Sequence, residues 1–408
     1  MVDKAHDNDF PLRCQPDCSI YERHSDHKEE LIFALLDSFI KFKTTSQQDP
    51  FLHRQDTEET ELNPFMSTTS AARKVAGQII SYATMLLGAQ YRTHAFSVLV
   101  IQNYARLIRW DRSGAIVTEP IYYDTEPYLF NFFVFYDNAS REMRGHDSTI
   151  GFPTDDEERS VRKLDDLVSA KSLLSMTIHD PSSLEPHRYI VSSPCVHPCI
   201  PMGHWTRTSI AYDVNARIRV LVKDSWRVLL DGIQPEGVVY ATLRRHSVPN
   251  VPHCLLAGDV GKDDYHRSQT DRFAGRFWNH PNTQRVTPHR HYRLVLGTIG
   301  KKLYDFASSR QMVKAMHASL LGKLTICWQS RNVFTCITAH QAAYKAGILH
   351  RDISASNIML VDLEEDLQGG MLIDWDLSKS IDPEKSDAAC QLTRTVSRVS
   401  DVVFILSF

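Results

Sequence analysis

Ile348-Leu349-His350-Arg351-Asp352-Ile353-Ser354-Ala355-Ser356-Asn357 leads straight into the apolar run Ile358 to Val361, and a second apolar run, Met371 to Ile373, ends in Asp374-Trp375-Asp376. Two such runs around a loop containing Gly369-Gly370 predict a β-hairpin with polar residues at its mouth. A carboxylate, a carboxamide and a second carboxylate in this order suit phosphoryl transfer from ATP. Asp352 would lie at the acceptor hydroxyl, and Asn357 and Asp374 would offer the hard oxygen ligands that Mg2+ prefers. His350 and Arg351 would fix the loop. A polar surface turn is the competing reading, and the order of both halves in strand context speaks against it.

Other elements must bring a phosphate-binding cation to that mouth. Ile218-Arg219-Val220-Leu221-Val222-Lys223 alternates as a strand before Asp224-Ser225-Trp226-Arg227, and a helical pattern starts at Glu236 with Val239, Tyr240 and Leu243 on one face. A strand ending in Lys and a helix beginning with Glu can form the ion pair that holds nucleotide phosphates. Lys223 is the candidate phosphate contact and Glu236 its partner; a surface lysine at a strand end fits the pattern equally well. Gly203, in Met202-Gly203-His204-Trp205-Thr206-Arg207, is the nearest preceding glycine and the candidate for a nucleotide-covering loop. One glycine is thin support, because amides cradle phosphate best where side chains do not crowd them.

The remaining segments follow in order. Leu31 to Lys43 predicts a buried amphipathic helix, 44–69 an exposed linker, and Ser70 caps a helix to Leu87 with Ala72, Val75, Ile79, Ala83 and Leu86 on one face. Phe96 to Ile101 and Tyr104 to Trp110 predict strands, with Asp111-Arg112-Ser113-Gly114 turning into Ala115 to Thr118. Pro127 to Tyr136 predicts a core helix, 153–166 an exposed charged stretch, and 188–260 a second small sheet. Arg106, Arg109 and Arg112 could form a basic stripe, although a solvated face is the simpler expectation. His289-Arg290-His291 reads as a solvated strand entry. Cys195-Val196-His197-Pro198-Cys199, like Cys14 and Cys18, has ligand-like spacing, but zinc sites favour tighter pairs and a plain loop is expected.

Composition narrows the partners. The 408 residues carry 46 Lys and Arg against 49 Asp and Glu, a net charge of −3, so no global field draws the chain to nucleic acid or anionic membrane. No apolar run approaches the ~20 residues of a membrane span. Met1 to Asp9 is polar, without a signal peptide, and eight Cys in such a chain are expected to be reduced thiols in the cytoplasm or nucleus. The protein substrate and oligomeric state are not readable.

Taken together, several stretches resemble the fungal-type protein kinase domain family: Gln90 to Ser97, Arg109 to Ala115, Val222 to Arg227, Ala257 to Val260, His291 to Val295, and His340 through Asn357. The resemblance covers residues 70 to 395 or so. It implies an α+β, bilobal protein-kinase-like fold, ATP with Mg2+, and protein Ser/Thr hydroxyls as substrate. The division it implies is a polar and helical 1–69, an N-terminal α/β extension over 70–185, a kinase-like N-lobe over 186–300, and a partial C-lobe over 301–408. It also favours Lys223 and Glu236 as an ion pair.

Three departures qualify that picture. Gly322 to Cys336 interrupts helices that are close to continuous in relatives, and the family pattern breaks after Arg394-Thr395, leaving a truncated helical lobe. Apolar surface under Ile348, Leu349 and Ile353 would then face water. Retained non-coding sequence is the expected cause, and transcripts spliced across 322–336 would support it. Asp376 stands where most kinases have Gly, as small-molecule phosphotransferases of the aminoglycoside-kinase type tolerate. The expectation is an ATP-dependent protein kinase; the alternative is a pseudokinase or interaction module.

Overall fold

The computed structural model describes residues 15–22, 33–52, 65–162, 173–192, 201–261, 264–274, 286–320, 339–364, 367–381 and 404–407. It is a mixed α/β structure of several sheets, in keeping with the expected α+β class. Cys14, the Cys195 to Cys199 loop, the 322–336 segment and the break after Thr395 lie outside these residues. Among the described residues, no helix is long and apolar enough to cross a membrane.

The first sheet contains β1 (Cys18–Tyr21), β2 (Leu36–Lys43), β3 (Ala95–Ile101), β4 (Tyr104–Asp111) and β5 (Gly114–Thr118). Helix α1 (Ser70–Ala89) packs on it, burying all five residues of the predicted face: Ala72, Val75, Ile79, Ala83 and Leu86. Its N-cap is Thr69 rather than Ser70, the Thr69 hydroxyl accepting from Ala72 N–H at 3.2 Å. Its C-terminal carbonyls are satisfied from afar: the Arg207 guanidinium donates to the carbonyls of Leu87, Gly88 and Gln90 at 2.8, 3.0 and 2.9 Å.

Several sequence expectations fail in this region. Residues 36–43 form strand β2, not a helix, because the slot between β1 and β3 offers ladder partners on both edges. Asp49 and Phe51 are buried core, not linker, with Asp49 bound to Arg106 Nε at 2.9 Å. Arg106 and Arg112 are themselves buried, so the arginines form neither a basic stripe nor a solvated face. The predicted turn Asp111 to Gly114 is present. The aromatic helix α2 (Tyr128–Asn138) also forms, but only Tyr136 is buried, while Phe130 is 70% exposed.

The second sheet has seven strands, ordered β11-β12-β10-β9-β8-β7-β6 and antiparallel throughout. They are β6 (Ile150–Gly151), β7 (Leu173–His179), β8 (Pro186–Ser192), β9 (Arg207–Asp213), β10 (Ile218–Val228), β11 (Cys254–Asp259) and β12 (His289–Leu296). Helix α3 (Asp155–Val161), with a Thr154/Glu157 capping box, precedes β7. Helix α4 (Glu236–Arg245) lies on one face, burying Val239, Tyr240 and Leu243. A Cβ at Gly237 would come within 2.4 Å of the Ala257 Cβ, so glycine there allows α4 to approach the sheet.

A third, smaller sheet holds β13 (Lys301–Lys302), β15 (Ile358–Glu364) and β16 (Leu367–Leu372), flanked by α5 (Ser309–Leu320) and α6 (Ala339–Lys345). Strands β14 (Ile348–Leu349) and β17 (Lys379–Ser380) pair beside it, while β18 (Phe404–Ser407) joins β5 of the first sheet in parallel. The predicted hairpin is β15–β16, but Gly369 and Gly370 sit within β16, opposite Val361 and Leu360. A Cβ at Gly370 would meet the Ala315 carbonyl oxygen at 2.4 Å, which explains a glycine in mid-strand. Ile348 is buried, whereas Ile353 is 38% exposed and lines an apolar cavity of about 290 Å³ with Tyr304, Phe306 and Met316.

Candidate active site

Strand alternation sends Lys223 and Asp224 to opposite faces of the second sheet. Strand β10 does not end at Lys223 but continues to Val228, so Lys223 is held mid-strand between Thr208 and Leu294. Its ammonium donates to Glu236 Oε2 at 2.7 Å and to Asp374 Oδ1. Glu236 opens α4, and its other oxygen accepts from Trp375 N–H at 3.0 Å. One carboxylate thus ties the second sheet to the segment after the β15–β16 hairpin.

Residues 350–357 are organised by backbone contacts. The buried His350 ring donates from Nε2 to the Ile373 carbonyl at 3.0 Å, and its Nδ1 accepts from Asp352 N–H at 3.2 Å. Burial holds this imidazole below its ordinary pKa, which suits the neutral tautomer these bonds require. The ring also meets Trp375 at 4.5 Å, so His350 acts as a peg between loop and hairpin. Asn357 Nδ2 donates to the Asp352 carbonyl at 2.8 Å and to its carboxylate at 3.1 Å, while Ile373 N–H donates to the Asn357 carbonyl at 3.0 Å. Asp352, Asn357 and Asp374 therefore share one mouth. Arg351 (φ 73°) and Asp374 (φ 68°) both adopt left-handed backbone, a conformation that side-chain-bearing residues hold only where surroundings impose it.

Charge at this mouth does not balance. Burial alone would lower the Lys223 pKa, but Glu236, Asp374 and Asp376 outweigh it and hold the ammonium firmly charged. Burial pushes Glu236 up to about 7 against the pull of Lys223. Burial also raises Asp376, whereas Lys223 overrides burial and lowers Asp374. Three carboxyl groups thus crowd one ammonium, two of them pushed toward the neutral form, and a hard divalent cation at the oxygens of Asn357 and Asp374 would relieve that crowding.

Gly203 is not part of this group. Its N–H donates to the Arg112 carbonyl at 3.0 Å, so this amide is not offered to a phosphate. The neighbouring His204 comes closer: its Nδ1 lies 3.5 Å from Asp376 Oδ2. Sequence reasoning missed His204 and treated Asp376 only as a departure; the adjacent Trp205 and the acidic third position were the available signals.

The opposite face of β10 carries a second polar cluster, where a solvated strand entry was expected. His289 and His291 are buried there. Arg293 donates through Nε to Asp224 at 2.8 Å and through its terminal nitrogen to Asp147 at 2.5 Å. His291 Nε2 meets Asp224 at 2.8 Å, and Trp226 stacks on the ring at 4.9 Å. Asp147, His266 and His291 bring possible ligand atoms within 4.8 Å of one another. However, the two imidazoles are 22° from parallel, with centroids 5.3 Å apart and Nδ1 atoms 3.1 Å apart. That contact suits an N–H···N hydrogen bond between the rings, and Asp147 is also bonded by Arg293.

Comparison with known families gives one match: the family described as fungal protein kinase, over residues 37–400. No curated protein matched the chain.

Proposed function

Because the chain belongs to the fungal protein kinase family, we propose that it transfers the terminal phosphoryl group of Mg-ATP to Ser/Thr hydroxyls of a protein substrate. The observation that carries this reading is the Lys223 ammonium bridging Glu236 and Asp374, partners 13 and 151 residues away in sequence. In this reading the seven-stranded sheet with α4 is one lobe, and the hairpin, α5 and α6 belong to a second. ATP lies between them.

Lys223, oriented by Glu236, contacts the phosphates. Asn357 and Asp374 would hold Mg2+, which would supply charge neutralisation at the transferred group. Asp352 orients the acceptor hydroxyl and accepts its proton. His350 and Arg351 keep the loop in register with the hairpin. No step requires Gly203.

Thermal unfolding with and without Mg-ATP tests the binding half. The parent protein should be stabilised and Asp374→Ala should not, since a ligand that binds only the folded state raises its stability by about 2.7 kcal/mol at a hundredfold excess over Kd. Equal shifts in both would remove Asp374 from the metal site. For transfer, Asp352→Ala should lower phosphorylation about 10²-fold or more. The exposed Tyr304, Phe306 and Ile353 beneath the loop favour a second reading, a nucleotide-binding interaction module. Nucleotide binding without transfer to any Ser/Thr substrate would select it.

A further inference from the structure

We propose that the N-terminal sheet sets the position of the 201–206 segment over the nucleotide site, with Arg112 as the positioning residue and His204 as the contact that reaches the site. This deepens the kinase reading and rests on it. Arg112 sits in the turn between β4 and β5, yet its guanidinium is buried and donates to the Pro201 carbonyl at 3.3 Å and the Arg92 carbonyl at 3.2 Å. It lies 4.1 Å above the Trp205 ring and 5.6 Å from that of Trp226, three residues after Lys223 on β10. Its Nε has no hydrogen-bond partner. Carbonyls and indole faces, not a carboxylate, therefore hold this buried cation among the described residues.

The turn itself is anchored. Asp111 accepts from Ser113 N–H at 2.9 Å, Gln269 N–H at 2.7 Å and the Thr270 hydroxyl at 2.7 Å. From that base the segment is gripped twice more, by Gly203 N–H on the Arg112 carbonyl at 3.0 Å and by Trp226 N–H on the His204 carbonyl at 2.7 Å. With its backbone fixed, His204 turns Nδ1 toward Asp376, 3.5 Å away, and that nitrogen has no hydrogen-bond partner. Asp376 is one of the three carboxylates around Lys223. Releasing the grip frees His204 from Asp376 and leaves that carboxylate to crowd the phosphates. Nucleotide affinity should suffer, while the transfer step, run by Asp352, should not.

The test measures equilibrium binding of a fluorescent ATP analogue with Mg2+, together with KM for ATP and kcat, in the full chain. Arg112→Gln, Trp205→Ala and His204→Ala should each weaken binding about tenfold and raise KM alike, with kcat within about twofold, as a coupling free energy between two sites produces. Trp205→Phe, which keeps an aromatic face under the guanidinium, should recover most of the loss. Adding His204→Ala to Trp205→Ala should give little further loss, because both act through one contact. Trp205 is only half-buried, so its variants report even where Arg112→Gln fails to fold. Parent-level binding in Trp205→Ala and His204→Ala, or fully additive losses, overturns the proposal. Absence of nucleotide binding by the parent protein instead overturns the kinase reading itself.

Discussion

Lys223 and Asp224 are neighbours on β10 that face opposite sides of one sheet, and the two sides are completed differently. Behind Asp224, two buried carboxylates share their donors: Asp224 and Asp147 both bond Arg293, and His291 adds a second donor to Asp224. Around Lys223, one ammonium faces Glu236, Asp374 and Asp376. A buried network that serves only the fold tends to be fully paired, since unpaired charge in low dielectric is expensive. A surplus of one sign is tolerated where a ligand of the other sign is expected. The contrast within two consecutive residues is one of degree: two carboxylates share Arg293 on one side, and three crowd Lys223 on the other.

The largest expected effect lies on the paired side. Arg293→Ala leaves Asp147 and Asp224 buried without their shared cation, and should destabilise by about 3–5 kcal/mol, read from a urea midpoint. A loss under about 1 kcal/mol would mean that this network is not closed as described. On the other side the sign should reverse. Asp376→Asn removes one of three crowded carboxylates and should raise stability by about 0.5–2 kcal/mol without Mg2+ or nucleotide. A lowered melting temperature for this variant would show that the surplus is not a strain.

The smallest effect is in pH dependence, where the two faces oppose each other. Burial and then His204 hold His289 down to about 4 against an ordinary 6.5. Its contribution is full above about 6.5 and declines as pH falls toward 4, because the unfolded chain takes the proton first. Glu236 is raised to about 7 from 4.5, so the folded state takes that proton first. Its contribution is full below about 4.5 and is lost as pH rises through 7. The two partly cancel between pH 4.5 and 6.5. Glu236→Gln should steepen the fall in stability on acidification by up to about 1.4 kcal/mol per pH unit. Identical slopes in parent and variant would uncouple Glu236 from folding.

Local pattern made much of this legible. The alternation of 218–223, the face of α1 and the β15–β16 hairpin are periodicities written into adjacent residues, whereas strand and helix pattern left the Lys–Glu pair level with a surface lysine until the family resemblance favoured it. What failed depended on distance. Arg106 looks like a surface arginine until Asp49, 57 residues earlier, is placed against it. His291 looks solvated until Asp224, 67 residues earlier, meets it. Residues 36–43 have apolar spacing compatible with either a helix or a strand, and only the vacancy between β1 and β3 decides. Helix α2 was visible as a helix, but the exposure of Phe130 and Tyr128 was not, since aromatic content alone does not say which elements remain to cover it.

The Arg207 grip on the end of α1 has a consequence for synthesis. The donor follows the Leu87 carbonyl by 120 residues. At about 5–20 residues per second, the ribosome exposes that helix end for on the order of ten seconds before β9 can arrive to close it. During that interval the N-terminal sheet waits unfinished, and nascent chains halted before β9 should be the most protease-sensitive. Through this one contact the helix on the first sheet is completed only when a strand of the second sheet arrives.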